Sequence, residues 1–286
     1  MQNDVILVAG GTGNVGSYIV DQLSAEGHQV RALTTARRDD QPGIEYVQCD
    51  VSRDDLGPVF EGVAAAFLMV PIRPDMVAVG ERLNEAAVAA GAKRIVRLSA
   101  ATPMQVPSSF VGMSHGAIDA HLLSLFPDAL ILRPHGFMQN LLHHGQEVSD
   151  GRLAQPIDGD SRDSMIDARD ISASAVAGLV GDYVGIVDIT GPESLSAREV
   201  AQKLGEVIGR DVEAVSVLRS DAKKDMMNQG MPDWLADAIL EMQPLQERGV
   251  MAITTSGVED LTGRPPRELS AFIEDNKNVF MGDPGS

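Results

Sequence analysis

Cysteine is nearly missing from this chain. Its 286 residues include one, Cys49, so no disulfide can form within it, and a reducing, cytoplasmic compartment fits that usage. Cys49 ends a short apolar stretch and reads as a buried structural thiol. Tyrosine is scarce as well, limited to Tyr18, Tyr46 and Tyr183. Basic residues are outnumbered, with 23 Lys and Arg against 41 Asp and Glu and a net charge of -18. That balance excludes a face for DNA or RNA backbones and docking on anionic lipid. A local basic pair can still hold one phosphate. The longest apolar run, around Val63 to Ile72, is too short to span a bilayer. The opening Met1-Gln2-Asn3-Asp4 has no basic n-region or cleavage pattern. There is no fixed-period repeat, low-complexity segment or long charge block.

What is present is a hydrophobic content of 44%, enough for a sizeable core, and one informative glycine cluster. Val5 to Val8 run apolar into Ala9-Gly10-Gly11-Thr12-Gly13-Asn14-Val15-Gly16, and an amphipathic segment from Ser17 to Glu26 follows. Strand, tight turn and helix N-terminus in that order form a site for a dinucleotide pyrophosphate. Glycines let the backbone approach the phosphates, and free helix N–H groups meet the negative charge.

The next strand, Gln29 to Leu33, ends at Thr34-Thr35, followed by Ala36-Arg37-Arg38. A carboxylate there would favour NAD by gripping the ribose 2′-OH. Hydroxyls and guanidinia suit the 2′-phosphate of NADP instead. The preferred cofactor is therefore NADP, with NAD as the alternative; a solvated Arg37-Arg38 pair beside Asp39 and Asp40 is the simpler reading of that loop.

Further apolar runs at Ile44 to Val47, Ala64 to Val70, Arg94 to Leu98 and Ala129 to Leu132 read as strands. Between them lie helices over Asp54 to Gly62, Met76 to Ala90 and Met113 to Phe126, the last preceded by a loop with Pro103 and Pro107. Strand–helix alternation predicts an α/β, Rossmann-type, doubly wound parallel sheet. From about residue 140 the rhythm loosens. Ser164 to Asp167 reads as a strand, Asp170 as a helix cap, Gly185 to Ile189 and Val212 to Val217 as strands, and Ser196 with Glu199 as a capping box. The expected organisation is a dinucleotide-binding domain over residues 1–150 and a smaller C-terminal α/β substrate lobe over 151–286, with a soft boundary across which some strands could join the first sheet.

Several stretches together resemble the NmrA-like branch of the atypical short-chain dehydrogenase/reductase superfamily. They are Gly10 to Gly16, Val30 to Thr34, Arg133 to Asn140, Ile166 to Ile171, Thr190 to Glu193 and Leu261 to Pro266. The resemblance implies a Rossmann domain with NAD(P) at the C-terminal edge of its strands. It assigns Gly10, Thr12, Gly13, Asn14, Val15 and Gly16 to the pyrophosphate and adjoining ribose, and Asp50 and Val51 to the adenine. Met69, Val70 and Pro71 fall on the nicotinamide ribose side, Ser99 and Ala100 below the nicotinamide, and Pro134 to Phe137 on its far side. Relatives often carry Arg where Thr35 stands, so selectivity for NADP rests on Arg37 or Arg38.

Short-chain reductases generally use a Tyr-x-x-x-Lys pair on the helix after the fifth strand. Here Val111 falls at the Tyr position and His115 at the Lys position. His115 and Asp119 are four residues apart and share a helix face. They are either a catalytic or ribose-binding His oriented by Asp119, or a local pair without a role. Phe110, Met113, Phe137 and Met138 could line an apolar substrate pocket or belong to ordinary core. Adjacent His143 and His144 read as a solvated face, and no metal site is expected. The functions to weigh are an NAD(P)H-dependent reductase of a hydrophobic quinone, enone or carbonyl, a non-catalytic NADP(H) sensor that acts on a partner protein, and a lyase or isomerase that uses the cofactor only structurally.

Overall fold

A computed structural model describes residues 4–101, 109–157 and 159–282. In the first half, β1 (Val5–Val8), α1 (Gly16–Ala25), β2 (Gln29–Thr34), β3 (Ile44–Gln48), α2 (Gly57–Phe60), β4 (Val63–Leu68), α3 (Met76–Ala89), β5 (Arg94–Leu98), α4 (Phe110–Leu125) and β6 (Leu130–Pro134) follow in order. A 3-10 turn at Met138–His144 leads to α5 (Gly145–Ser149), β7 (Arg152–Gln155), β8 (Arg162–Asp163), α6 (Ala168–Val180), β9 (Gly185–Ile189), β10 (Leu195–Ser196), α7 (Ala197–Ile208) and β11 (Glu213–Ser216). The rest is helical: α8 (Arg219–Asn228), α9 (Asp233–Leu240), α10 (Gln243–Glu247), a 3-10 turn at Val250–Ala252, α11 (Gly257–Thr262), α12 (Leu269–Asp275) and α13 (Lys277–Phe280). None of the described helices is long and apolar enough to cross a membrane.

One seven-stranded sheet has the order β3-β2-β1-β4-β5-β6-β9, and every pairing in it is parallel. A parallel sheet must be covered on both faces. Ile6, Val8, Phe67, Val96 and Leu132 point to one side, against Ile19, Leu23, Ile171 and Ala175 of α1 and α6. Leu7, Ala66, Leu68 and Ile95 point to the other, against Val79, Leu83, Ile118 and Leu122 of α3 and α4. Each large apolar side chain sealed in this way contributes about 1.5–3 kcal/mol of burial. Crossovers run outward in both directions from β1 and β4. The crevice beyond the carboxyl ends of these two strands is thus the switch point where such sheets bind ligands.

Residues on both sides of position 150 build that sheet, because β9 closes its edge beside β6 and α6 covers one of its faces. A further core holds Met138, Leu141, Val148, Leu153, Val200, Leu204, Phe272 and Phe280, beneath the parallel pair β7–β11 and the antiparallel pair β8–β10.

Several local expectations shift. Helix α4 begins at Phe110, earlier than Met113, because the Ser109 hydroxyl accepts from Gly112 N at 3.0 Å and caps it. Helix α2 is shorter than the stretch Asp54 to Gly62. Strand β8 precedes the expected Ser164 to Asp167, where Ile166 makes only a single bridge to Phe137. Asp167, rather than Asp170, caps α6 by accepting from Arg169 N at 2.8 Å. Asp170 instead holds the Arg267 amide at 2.7 Å and its guanidinium, tying α6 to the segment before α12. Ser196 and Glu199 form the expected capping box. The loop with Pro103 and Pro107 lies outside the described residues.

Candidate functional site

The glycine cluster turns sharply out of β1. Gly10 has φ +70°, where a side chain is strained, and a Cβ on Gly16 would lie 2.1 Å from the Gly10 carbonyl oxygen. The Gly13 amide donates to that oxygen at 3.0 Å. The amides of Thr12, Asn14, Val15 and Gly16 have no acceptor among the described residues, and no side chain caps α1. Gly13 and Asn14 are exposed. Behind them, Ser172 of α6 donates to the Val15 carbonyl at 2.9 Å. The result is an open nest of donors at the positive end of a helix, which fits a pyrophosphate.

At the end of β2, Thr34 is buried and its hydroxyl is spent within its own turn, donating to Ala36 O at 2.9 Å. Thr35 is exposed, and Gln48 binds its carbonyl at 3.1 Å. The Arg38 guanidinium lies 5.9 Å from the Tyr46 ring centroid. Arg37 is exposed and makes no ion pair or hydrogen bond among the described residues. Asp50 accepts from Ser52 Oγ at 2.5 Å and from Arg53, and these bonds, the Ser52 one first, hold its carboxyl well below the usual range. Val51 is half-buried beside it. Cys49 is buried, and burial pushes its thiol pKa up, away from the reactive thiolate.

Across the crevice, Met69 follows β4 with its sulfur packed on Gly10, 2.8 Å from where a Cβ would be; Val70 is buried and Pro71 exposed. Ser99 and Ala100 follow β5, and the Ala101 amide donates to the Pro134 carbonyl at 2.9 Å, joining the ends of β5 and β6.

Below this edge lies a buried polar cluster. Arg97 of β5 is 1% exposed, and its Nε donates to Asp119 Oδ1 at 2.6 Å. Its Nη2 stands 3.0 Å from His115 Nδ1. The other Asp119 oxygen accepts from Ser99 Oγ at 2.7 Å and stands 3.5 Å from Arg133 Nη2. Asp119 therefore does not orient His115, as its spacing suggested; it is taken by the arginines and Ser99, and Arg97 holds the imidazole. Burial, with the Arg97 charge second, pulls the His115 pKa down to about 3. The ring is therefore neutral. Val111, one turn earlier, is buried and carries no proton to give.

The expected apolar lining divides. Phe110 packs edge-on to Trp234 of α9, with centroids 6.4 Å apart. Its amide donates to Glu241 at 2.8 Å, which pins the α9–α10 segment over the start of α4. Met113 is 56% exposed on the same helix. Phe137 is partly buried on the α1–α6 side of the sheet. Met138, at 1% exposure, belongs to the lobe core and not to an open wall. His143 is exposed, and His144 pairs with Glu147 at 3.0 Å. No metal-binding cluster occurs among the described residues.

Over residues 2–272 the sequence matches the model of the NmrA-like family. The chain belongs to that family. Among its relatives is the NAD(P)H azoreductase of Xenophilus azovorans, 32% identical, with 96% of this chain and 99% of the relative aligned. The fold is similar to that of an NADPH-dependent quinone oxidoreductase from Escherichia coli solved with NADPH, at a TM-score of 0.83 and 20% identity, covering 96% of this chain and 100% of that one. It is also similar to NmrA, a negative transcriptional regulator solved with NADP, at a TM-score of 0.81 and 17% identity, covering 100% and 99%.

In this NmrA-like chain, sequence reasoning missed Arg97, Arg133 and Asp163. An arginine inside the otherwise apolar β5 was the available signal for Arg97. Asp163, just outside the end of β6, is buried, and burial pushes its pKa up to about 7. Gln246 of α10 donates to its Oδ2 at 3.2 Å, while Oδ1 makes no hydrogen bond and stands 3.9 Å from His135 Nδ1. Beside it the His135 Nδ1–H donates to the Met251 carbonyl at 3.1 Å, and burial lowers that imidazole's pKa. These two contacts tie the segment from α10 to Met251 to the sheet.

Proposed function

We propose that this chain is an NAD(P)H-dependent reductase of a hydrophobic small molecule: a quinone, an enone or a carbonyl. The observation that carries the reading is the open donor nest at Thr12 to Gly16, placed at the switch point of the sheet. Full-length similarity to an NAD(P)H azoreductase supports reductive chemistry. When bound, the cofactor supplies a hydride. The chain's own work is to hold and shield. Gly10 to Gly16 would take the pyrophosphate, Asp50 and Val51 the adenine side, and Met69 to Pro71 with His115 the nicotinamide ribose. Ser99, Ala100 and Pro134 to Phe137 would enclose the ring. Thr35 and the unpaired Arg37, with Arg38, would favour NADP over NAD. The C-terminal lobe, with Phe110 and the α9–α10 segment, would supply the substrate side and exclude water.

With Val111 in place of a phenol and a neutral His115, no tyrosine–lysine pair protonates the acceptor. That suits quinones and activated alkenes, whose reduced forms take a proton from water, better than simple ketones. It also favours a second reading, a non-catalytic NADP(H) sensor acting on a partner protein, in keeping with the fold similarity to NmrA.

Titration with NADPH and NADH, followed by cofactor oxidation with quinones, enones, ketones and azo dyes, separates the two. Turnover with at least one acceptor class is expected. Tight NADPH binding without turnover on any of them, with a co-purifying protein, would establish the sensor instead.

A further inference from the structure

The contact between Arg97 and His115 determines which imidazole nitrogen carries the proton. A guanidinium can only donate hydrogen bonds. Nδ1, 3.0 Å from Arg97 Nη2, is therefore the bare acceptor nitrogen, and the single proton of the neutral ring sits on Nε2. Nε2 has no hydrogen-bond partner among the described residues, and although His115 is only 7% exposed overall, this atom is not sealed from solvent and is free to meet a ligand.

We propose that Arg97 is a positioning residue of the cofactor site: through Nδ1 it fixes His115 as the Nε2–H tautomer, a neutral hydrogen-bond donor to a ribose hydroxyl of the bound dinucleotide, unchanged across the physiological pH range. This rests on the cofactor reading above. It assigns His115 a hydrogen bond and removes it as a source of the reaction's proton.

The surrounding charges support this role. Asp119, on the same helix, neutralises Arg97 at 2.6 Å, so the imidazole is not needed as a counter-ion. Protonating His115 would put a second cation beside the guanidinium. Arg133 of β6 reaches Asp119 and adds further positive charge. From α3, Glu85 lies 3.7 Å from His121, and Glu241, after α9, is held by the Phe110 amide; neither is placed on His115. Residues 102–108, which lead into α4, contain no titratable side chain in their sequence. Among the described residues no carboxylate is bonded to the ring, in accord with the depressed pKa of His115, of which burial is the larger cause and the Arg97 charge the second.

The test begins with the cofactor-free wild-type protein. Nitrogen NMR of its histidines from about pH 5 to about pH 9 is expected to show His115 with a proton on Nε2, a bare Nδ1 and no titration step. A proton on Nδ1, or titration within that range, overturns the proposal. In Arg97→Met the proton should no longer be fixed on Nε2, and the His115 pKa is expected to rise while staying below its ordinary value, because burial remains. The Kd for NADPH should rise about tenfold. Arg97→Lys, which restores a cationic donor, should recover the tautomer and most of the affinity. Unchanged tautomer and affinity in Arg97→Met would refute the assignment. If Arg97→Met does not fold, His115→Ala serves: its Kd should rise about tenfold by the same factor at every pH, and an unchanged Kd counts against the proposal. Failure of wild type to bind NADPH or NADH at all would sink the cofactor reading, whereas the NMR result on the free protein tests the tautomer alone.

Discussion

The two ends of the candidate cofactor site are built from different materials. The end proposed for the pyrophosphate is backbone: glycines, free amides and a helix terminus contributed by consecutive residues from Gly10 to Gly16. The end proposed for the nicotinamide is a side-chain network whose members, Arg97, Ser99, His115, Asp119 and Arg133, come from two strands, a strand end and a helix. The first tolerates no added atoms and titrates nothing. The second tolerates no lost partner, because its charges are out of water and hold one another. One end should fail by steric clash, the other by unpaired charge.

The largest expected effect lies in the network. Asp119→Ala leaves Arg97 buried and uncompensated, and should cost about 3–5 kcal/mol of stability in urea unfolding. A loss below about 1 kcal/mol would mean that the network is solvated and that the contrast with the backbone end is false.

Gly16→Ala tests the other end. Its Cβ would meet the Gly10 carbonyl 2.1 Å away, so the loop must shift and NADPH affinity should fall about 100-fold, roughly 2.7 kcal/mol. Calorimetric titration reads this, and the loss should be the same at all pH values.

Asp163 provides the pH-dependent case. Its folded pKa, about 7, lies above its reference value of 3.8. Below the reference value both states are protonated and the contribution is intact. It is lost as pH rises through the folded pKa, because the unfolded chain ionises first. Asp163→Asn should remove this slope, gaining up to about 4 kcal/mol relative to wild type at pH 8 and nothing at pH 3. Parallel stability profiles for the two proteins would show that the buried carboxyl is already compensated.

The smallest effect is expected at the exposed adenosine end. Arg37→Gln should weaken NADPH binding about tenfold and leave NADH unchanged. Equal losses for both cofactors would point to a folding defect rather than to a lost 2′-phosphate contact.

The same contrast explains what was legible in sequence. Val5 to Gly16 announced strand, turn and helix because the chemistry of the cradle is local: each residue type acts on its own backbone or that of a near neighbour. The parallel sheet was legible from alternating apolar runs, and the α7 capping box from Ser196 and Glu199. Asp119 was misread because spacing along a helix reports only neighbours on that helix, and its partners lie on β5, on β6 and at Ser99. Asp170 was misread as a cap for a similar reason: its partner, Arg267, is 97 residues away. Met138 stood open between pocket lining and core, since an apolar side chain beside a site carries no mark of which core it joins.

By itself the sequence determined a strand, glycine turn and helix in the order of a dinucleotide-binding unit, a doubly wound α/β sheet and a net charge of -18. These follow from periodicity, glycine spacing and charge count, which are properties of short stretches or of the whole chain. Only the tertiary structure decided that β9 closes the first sheet, that Arg97 rather than Asp119 holds His115, and that Asp163 is buried beside His135 and Gln246. The physical reason is desolvation. A buried charge acts through whichever groups the fold brings within about 3 Å, where the low local dielectric makes a partner decisive, and no local sequence pattern encodes that distance.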